Sequence, residues 1–184
     1  MAIKSIFNKI IFRITEKKGT ERLIKRRLEQ LRGTTVSMLT FLDHNKSREE
    51  LCYLAFVDRL TGVYNRNMLE EFRKKFDSVD IFVTIIDIDN LKMINDTKGH
   101  EEGDIFIKGL AEEISECSDW VFRLGGDEFL ALNKSKIVFD MLGVSYGTIF
   151  KPSNMPLNEA MRTADFLMYK NKKERSILNE KRDT

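Results

Sequence analysis

With 184 residues, 42% hydrophobic and 33% charged, the chain has a soluble globular composition, long enough for one cored domain and an appendage. Net charge is only +2, yet residues 1–32 hold ten Lys/Arg against three Asp/Glu, a net +7 that leaves −5 for the rest. That acidic body argues against nucleic acid as a partner, and no stretch is apolar enough to span a bilayer.

Two cysteines, Cys52 and Cys117, lie far apart in no metal-ligand pattern and fit a reduced intracellular protein. Residues 3–14 put Ile3, Ile6, Phe7, Ile10, Ile11 and Ile14 at helical spacing. Lys9 and Arg13 interrupt that run, which does not read as a secretory signal. A basic amphipathic helix can lie on an anionic membrane surface, or pack on a protein chain or its own domain; packing is the favoured option. The expected location is the cytoplasm, with any membrane contact peripheral at its inner face.

Ile24, Leu28, Leu31, Thr35, Met38, Leu42 and Asn45 follow at steps of four and three, a mostly apolar series interrupted by Gly33 and by the polar Thr35 and Asn45. This is a coiled-coil-like seam, either a parallel dimer stalk or a helix folded back on the domain. Ser47-Arg48-Glu49-Glu50 reads as a capping box restarting a helix to about Arg59. Gly62 is expected to end that helix and Asn65 to cap the next, whose apolar face carries Met68, Leu69, Phe72 and Phe76.

Ile81 to Ile88 is a β-branched apolar run that reads as a central buried strand. It ends in Asp87-Ile88-Asp89, so the two carboxylates share one face; they are metal ligands or plain loop acids. A short helix is expected over Asn90–Asn95, then a loop from Lys98 to Gly103, with Asp104 as N-cap of a helix burying Ile107, Leu110, Ala111 and Ile114. His100, beside Gly99, would ordinarily be a solvated loop residue.

Val121 to Leu132 sets two apolar runs about Gly125-Gly126, the pattern of a tight β-hairpin. Its turn could admit a phosphate, because glycine leaves the backbone without a Cβ. Asp127 and Glu128 follow at once, either as a site or as acids at a solvated tip. Lys136–Phe139 and Val144–Phe150 read as strands, and Pro152 and Pro156 bracket a loop. A last helix, about Leu157–Lys173, turns Ala160, Met161, Ala164, Leu167 and Met168 inward. The order of elements predicts an α+β fold, a mostly antiparallel sheet flanked by helices. The domains divide as a helical region 1–54, a body 55–178 and a polar tail 179–184.

Several of these strings together resemble the GGDEF diguanylate cyclases: Asp58-Arg59-Leu60-Thr61-Gly62-Val63-Tyr64-Asn65-Arg66, Asp87-Ile88-Asp89, Lys92, Ile94-Asn95-Asp96, Gly99-His100, Gly103-Asp104 and Gly125-Gly126-Asp127-Glu128-Phe129. The resemblance implies a polymerase-palm, nucleotide-cyclase-like fold and synthesis of cyclic di-GMP from two GTP across a homodimer. It implies two Mg²⁺ (or Mn²⁺) ions per active site, with Asp87, the Ile88 carbonyl and Asp127 as ligands. Asp127 and Glu128 would share metal binding and activation of the hydroxyl. Gly125 and Gly126 would lie against phosphates, and Lys92 and Lys172 would offset their charge. Asn95 and Asp104 would read guanine, and His100 would be a further substrate contact.

Three departures accompany the resemblance. The segment between the hairpin and Ser145-Tyr146-Gly147 is short, as if a helix were missing. The family's Arg-x-x-Asp inhibition motif is here Glu116-Cys117-Ser118-Asp119, which predicts no product inhibition there. No Gly-Arg-Asn follows Lys172, and Arg175 is out of register. The competing reading is therefore a catalytically silent GGDEF domain that binds GTP as an interaction module. Mixed cyclic-dinucleotide synthesis is disfavoured by Asp104.

Overall fold

The computed structural model describes residues 53–138 and 143–180, with side chains through Arg175. The expected helix of residues 3–14, the seam from Ile24 to Asn45, the capping box at Ser47–Glu50 and Phe139 lie outside the described residues. Residues from Asp58 onward form one compact unit. Among the described residues no helix is long and apolar enough to cross a membrane.

That unit is a five-stranded mixed sheet with helices on both faces. The strands are β1 (Tyr64–Asn65), β2 (Ile81–Ile88), β3 (Trp120–Gly125), β4 (Glu128–Asn133) and β5 (Val144–Lys151); the helices are α1 (Arg66–Asp77), α2 (Leu91–Lys98), α3 (His100–Cys117) and α4 (Leu157–Glu180). Spatial order is β1-β3-β4-β2-β5. Only the two-residue β1 runs parallel to its neighbour; β2 pairs antiparallel with β4 and β5, and β3 with β4. Hydrophobicity predicts β2 as the central strand; the middle place in the order belongs to β4, while β2 lies beside it, flanked by β4 and β5 and buried along most of its length.

Residue alternation along β2 sorts the core. Ile86 and Ile88 join Phe129, Ala131, Val121 and Val144 beneath Ile107, Leu110, Ala111 and Ile114 of α3. The opposite face receives α1 and α4: Phe76 of α1 meets Trp120 and Phe122 edge-on, with centroids 5.5 and 6.1 Å apart. At Gly147 on β5, α4 comes so close that a Cβ would overlap the Ala164 carbonyl oxygen and the Met168 amide nitrogen. Lys151 at the end of β5 is buried, and its ammonium donates to the carbonyls of Asp77, Val79 and Pro152 at 3.0–3.2 Å. It thereby satisfies carbonyls at the C-terminal end of α1 that lack a helical partner.

Six local expectations need correction. The helix expected to reach Arg59 ends at Phe56. The chain then folds into a turn in which Asp58 Oδ1 accepts from the Thr61 amide at 3.0 Å and hydroxyl at 2.7 Å. Gly62 therefore closes that turn and is no helix cap. Asp104 is not an N-cap either, because α3 already begins at His100 with Gly99 as its cap residue and Glu101 and Glu102 in its first turn. Acids there suit the positive end of the helix dipole, so the helix starts before Asp104. Residues 136–138 form no strand, since β5 sits at the sheet edge and pairs only with β2. Leu167 is partly exposed, as α4 packs through Ala160, Ala164 and Met168. That helix also continues past Lys173 to Glu180.

Candidate active site at the carboxyl end of strand β2

The hairpin is the one the sequence predicts. Gly125 pairs with Glu128, leaving Gly126-Asp127 as the turn, and a bulge lies between Arg123 and Gly125. Gly126 has φ 52°, a left-handed value that disfavours a side chain. A Cβ at Gly125 or Gly126 would meet nothing within 4 Å, so the backbone there is open to a bulky group. Two ties fix the turn in space. The Ile88 amide donates to the Asp127 carbonyl at 3.3 Å. Arg123 donates through Nε and Nη2 to the Gly126 carbonyl at 3.1 and 2.6 Å, and through Nη1 to Asp58 Oδ1 at 3.0 Å. Burial alone would raise the Asp58 pKa, but the bonds from Thr61 and Arg123 prevail and hold it below the usual carboxylate range.

Register then assembles the acids. Asp87 on β2 lies opposite Glu128 on β4 and opposite Ser145 on β5. Lys172 of α4 donates to Asp87 Oδ1 and stands 3.8 Å from Asp89 Oδ1. Asp89 also accepts from the Ser145 hydroxyl at 2.7 Å and lies 4.0 Å from Arg175, which donates to the Val144 carbonyl. Asp87 is pushed up by burial, opposed by Lys172 and reinforced by Asp127 and Asp89. Glu128 is pushed up by partial burial first and then by Asp87, Asp127 and Asp165, with Arg66 opposing. A depression of about 430 Å³ between α1 and α4 has Glu128 at its rim and Arg66, Arg73 and Arg162 along its walls.

The other predicted residues sit across the β2–α2 connection. Lys92 and Asn95 are on α2, the first exposed and the second half-buried; His100 and Asp104 are exposed on the first turns of α3. The two helices meet where a Cβ on Gly103 would strike the Asn95 side-chain oxygen, so that close approach sets where Asn95 lies. Asp87, Asp127, Glu128 and Lys172 thus form one grouping; Asn95 stands where α2 meets Gly103, the neighbour of Asp104 in α3, and Lys92 and His100 lie in the first turns of those two helices. Asp58, Arg123, Ser145 and Asp89 hold this geometry. Asp89 is already paired with Asp87 in the sequence, and Asp58 and Ser145 lie inside recognised strings, but no periodicity signals a hydrogen bond across more than fifty residues.

Whether the acids suit a divalent cation depends on their donors. Among the described residues no three His, Cys, Asp or Glu groups converge closely enough to hold a metal alone. Mg²⁺ sites commonly use one or two carboxylates and leave the rest of the shell to phosphates and water. Asp87 and Glu128 supply hard oxygens, and each has its pKa raised partly by neighbouring carboxylates, a repulsion a cation would relieve. The donor set fits.

A sheet of this order, with paired carboxylates beside a glycine turn, defines a palm-like nucleotide-cyclase fold. Residues 55–138 match the family model described as diguanylate cyclase, GGDEF domain, and the chain belongs to the GGDEF-domain family. It is 31% identical over 163 residues to the probable diguanylate cyclase DgcJ of Escherichia coli K12, covering 73% of this chain and 32% of that protein. It is 33% identical over 171 residues to the probable diguanylate cyclase DgcC of the same strain, covering 75% and 46%. The chain thus spans less than half the length of either relative. A solved microbial GGDEF domain, described in an interaction with bis-(3′,5′)-cyclic di-GMP, aligns with TM-score 0.58 at 27% identity, over 65% of this chain and 94% of that one.

Proposed function

We propose that this chain is a diguanylate cyclase, condensing two GTP into cyclic di-GMP with release of pyrophosphate across a homodimer of GGDEF domains. The observation that carries this reading is the cross-strand pair Asp87–Glu128 beside the open Gly125-Gly126 turn. In each of two condensations a 3′-hydroxyl attacks the α-phosphorus of the other GTP, forming a P–O bond as the bond to pyrophosphate breaks. Asp87, the Ile88 carbonyl and Asp127 would hold two Mg²⁺ or Mn²⁺ ions, which when bound polarise the phosphates and ease hydroxyl deprotonation. Glu128 is a fitting acceptor for the hydroxyl proton, because its raised pKa makes it a stronger base than an ordinary carboxylate.

Lys172 and Lys92 offset charge on the phosphates, and the bare backbone at Gly125 and Gly126 lets them approach. Asp104 accepts from guanine N1–H and the 2-amino group, and the Asn95 amide pairs with O6 or N7. Adenine has no matching donor pair. His100 is a further substrate contact. Residues 55–178 constitute the catalytic domain. The basic segment of residues 1–54 is a peripheral contact to a membrane surface or a protein, in a cytoplasmic chain. Glu116 in place of a phosphate-binding arginine removes product inhibition at that position.

The test is to incubate the purified chain with Mg²⁺ and GTP, ATP or both, and to identify products by mass. Cyclic di-GMP from GTP alone is expected, and Asp127→Ala should abolish it while the protein stays folded. Absence of any cyclic dinucleotide at high protein concentration would favour the second reading, a GTP-binding module. That reading draws on the lack of a helix at residues 133–138 and on Arg175 already engaging Val144 and Asp89.

A further inference from the structure

One cation already sits on the carboxylate that the proposed reaction gives to a metal. Lys172 donates to Asp87 Oδ1, and it lies within 4 Å of Asp89 as well. The Asp87 side chain is only 13% exposed, whereas that of Lys172 is 38% exposed, so the lysine has room to leave and the aspartate does not. The backbone of α4 is seated directly against Gly147, without space for a methyl group, and this packing sets where the helix carries Lys172. Its neighbour Arg175 is anchored differently, on the Val144 carbonyl and beside the far oxygen of Asp89. Of the two cations, only Lys172 touches Asp87, and its four-carbon stem can swing without moving the helix.

The acids give the arrangement its purpose. Asp87, Asp89, Asp127 and Glu128 crowd one strand end, and Asp87 is held there by its strand register. An ammonium on Asp87 offsets that repulsion when nothing else does. The same ammonium repels a divalent cation approaching the same carboxylate. Nucleotide phosphates offer Lys172 a stronger anionic partner, and they also complete a metal shell that Asp87 alone leaves open.

We propose that Lys172 is a stand-in cation: it occupies Asp87 in the nucleotide-free chain and transfers to the phosphates when nucleotide binds, so that metal and nucleotide enter together. This rests on the reading of Asp87 as a metal ligand. Linkage then requires each of the two to tighten the other by the same factor. The lysine acts as a positioning residue that gates the metal, in addition to its role in neutralising phosphate charge.

The experiment titrates the full chain with Mn²⁺ and follows the free-ion EPR signal, with and without a GTP analogue bearing a methylene between the α- and β-phosphorus. Parent, Lys172→Met, Lys172→Gln, Arg175→Gln and Asp87→Asn chains are compared, each checked for folding by thermal melting. The parent should bind Mn²⁺ weakly alone and about tenfold or more tighter with the analogue. Both Lys172 variants should bind Mn²⁺ alone about tenfold tighter than the parent and lose most of the coupling. Arg175→Gln should behave as the parent does. The idea fails if the Lys172 variants keep parental affinity and coupling. It fails also if Arg175→Gln tightens Mn²⁺ equally, since general charge would then suffice. If Asp87→Asn leaves the parent's Mn²⁺ binding with analogue unchanged, the metal-ligand reading itself fails and takes the inference with it.

Discussion

Glu128 and Asp58 are both acids of the same site, and their surroundings push them in opposite directions. Glu128 is raised by partial burial and by Asp87, Asp127 and Asp165. Its folded carboxyl therefore holds a proton more readily than the unfolded one. Its contribution to stability is full below the unfolded value and is lost as pH rises through the raised folded value. Glu128→Gln should accordingly raise the thermal midpoint near pH 7, with the gain vanishing toward pH 4, while cyclic di-GMP synthesis is lost; melting curves across pH with a product assay check both. Asp58 is held low by Thr61 and Arg123 against its own burial, so its contribution is present above the unfolded value and is lost as pH falls through the folded one. Asp58→Ala should cost about 1–2 kcal/mol at neutral pH. The difference from the parent should shrink in acid, as read by urea unfolding at two pH values. Because Arg123 joins Asp58 to the Gly126 carbonyl, turnover should fall more than GTP affinity.

At the scale of elements, α4 and β5 decide where Lys172 stands. Asn171 donates to the Tyr146 carbonyl at 3.3 Å and Arg175 to the Val144 carbonyl, so side chains of α4 satisfy the outer edge of β5. Just below, Gly147 lets the helix backbone lie against the strand. We expect Gly147→Ala to destabilise the domain by about 2–3 kcal/mol through overpacking. Since displacement of α4 carries Lys172 away from Asp87, the same substitution should weaken GTP turnover beyond what lost stability explains. Chemical denaturation and an assay on the folded fraction separate the two effects.

For the whole molecule, the proposed chemistry demands two chains. In that proposal each domain would supply one set of carboxylates and hold one GTP, whereas the product contains two nucleotides. Activity per chain should therefore rise with protein concentration and level off once dimers dominate; a dilution series with product quantified by mass tests this. A constant specific activity from nanomolar to micromolar protein would argue against encounter between copies, unless dimers persist throughout that range.

Local chemistry legible in one dimension determined a great deal. The β-branched run Ile81–Ile88 reads as a buried strand and is one, Gly125-Gly126 between apolar runs reads as a tight turn and makes one, and Asn65 caps α1 by accepting from the amides of Asn67 and Met68. Those features depend on near neighbours, on period-two alternation and on backbone freedom. Helix starts were harder: Asp104 has an N-cap's chemistry, but Gly99 and two acids open the helix one turn earlier. Partnerships were beyond reach. That Arg123 serves Asp58, Ser145 serves Asp89 and Lys172 occupies Asp87 follows from how β2, β4, β5 and α4 stack, and sequence spacing carries no record of it. The candidate residues of the site are legible in sequence. The direction in which each carboxylate is shifted and the cation resting on Asp87 were decided only when distant segments came within hydrogen-bond reach.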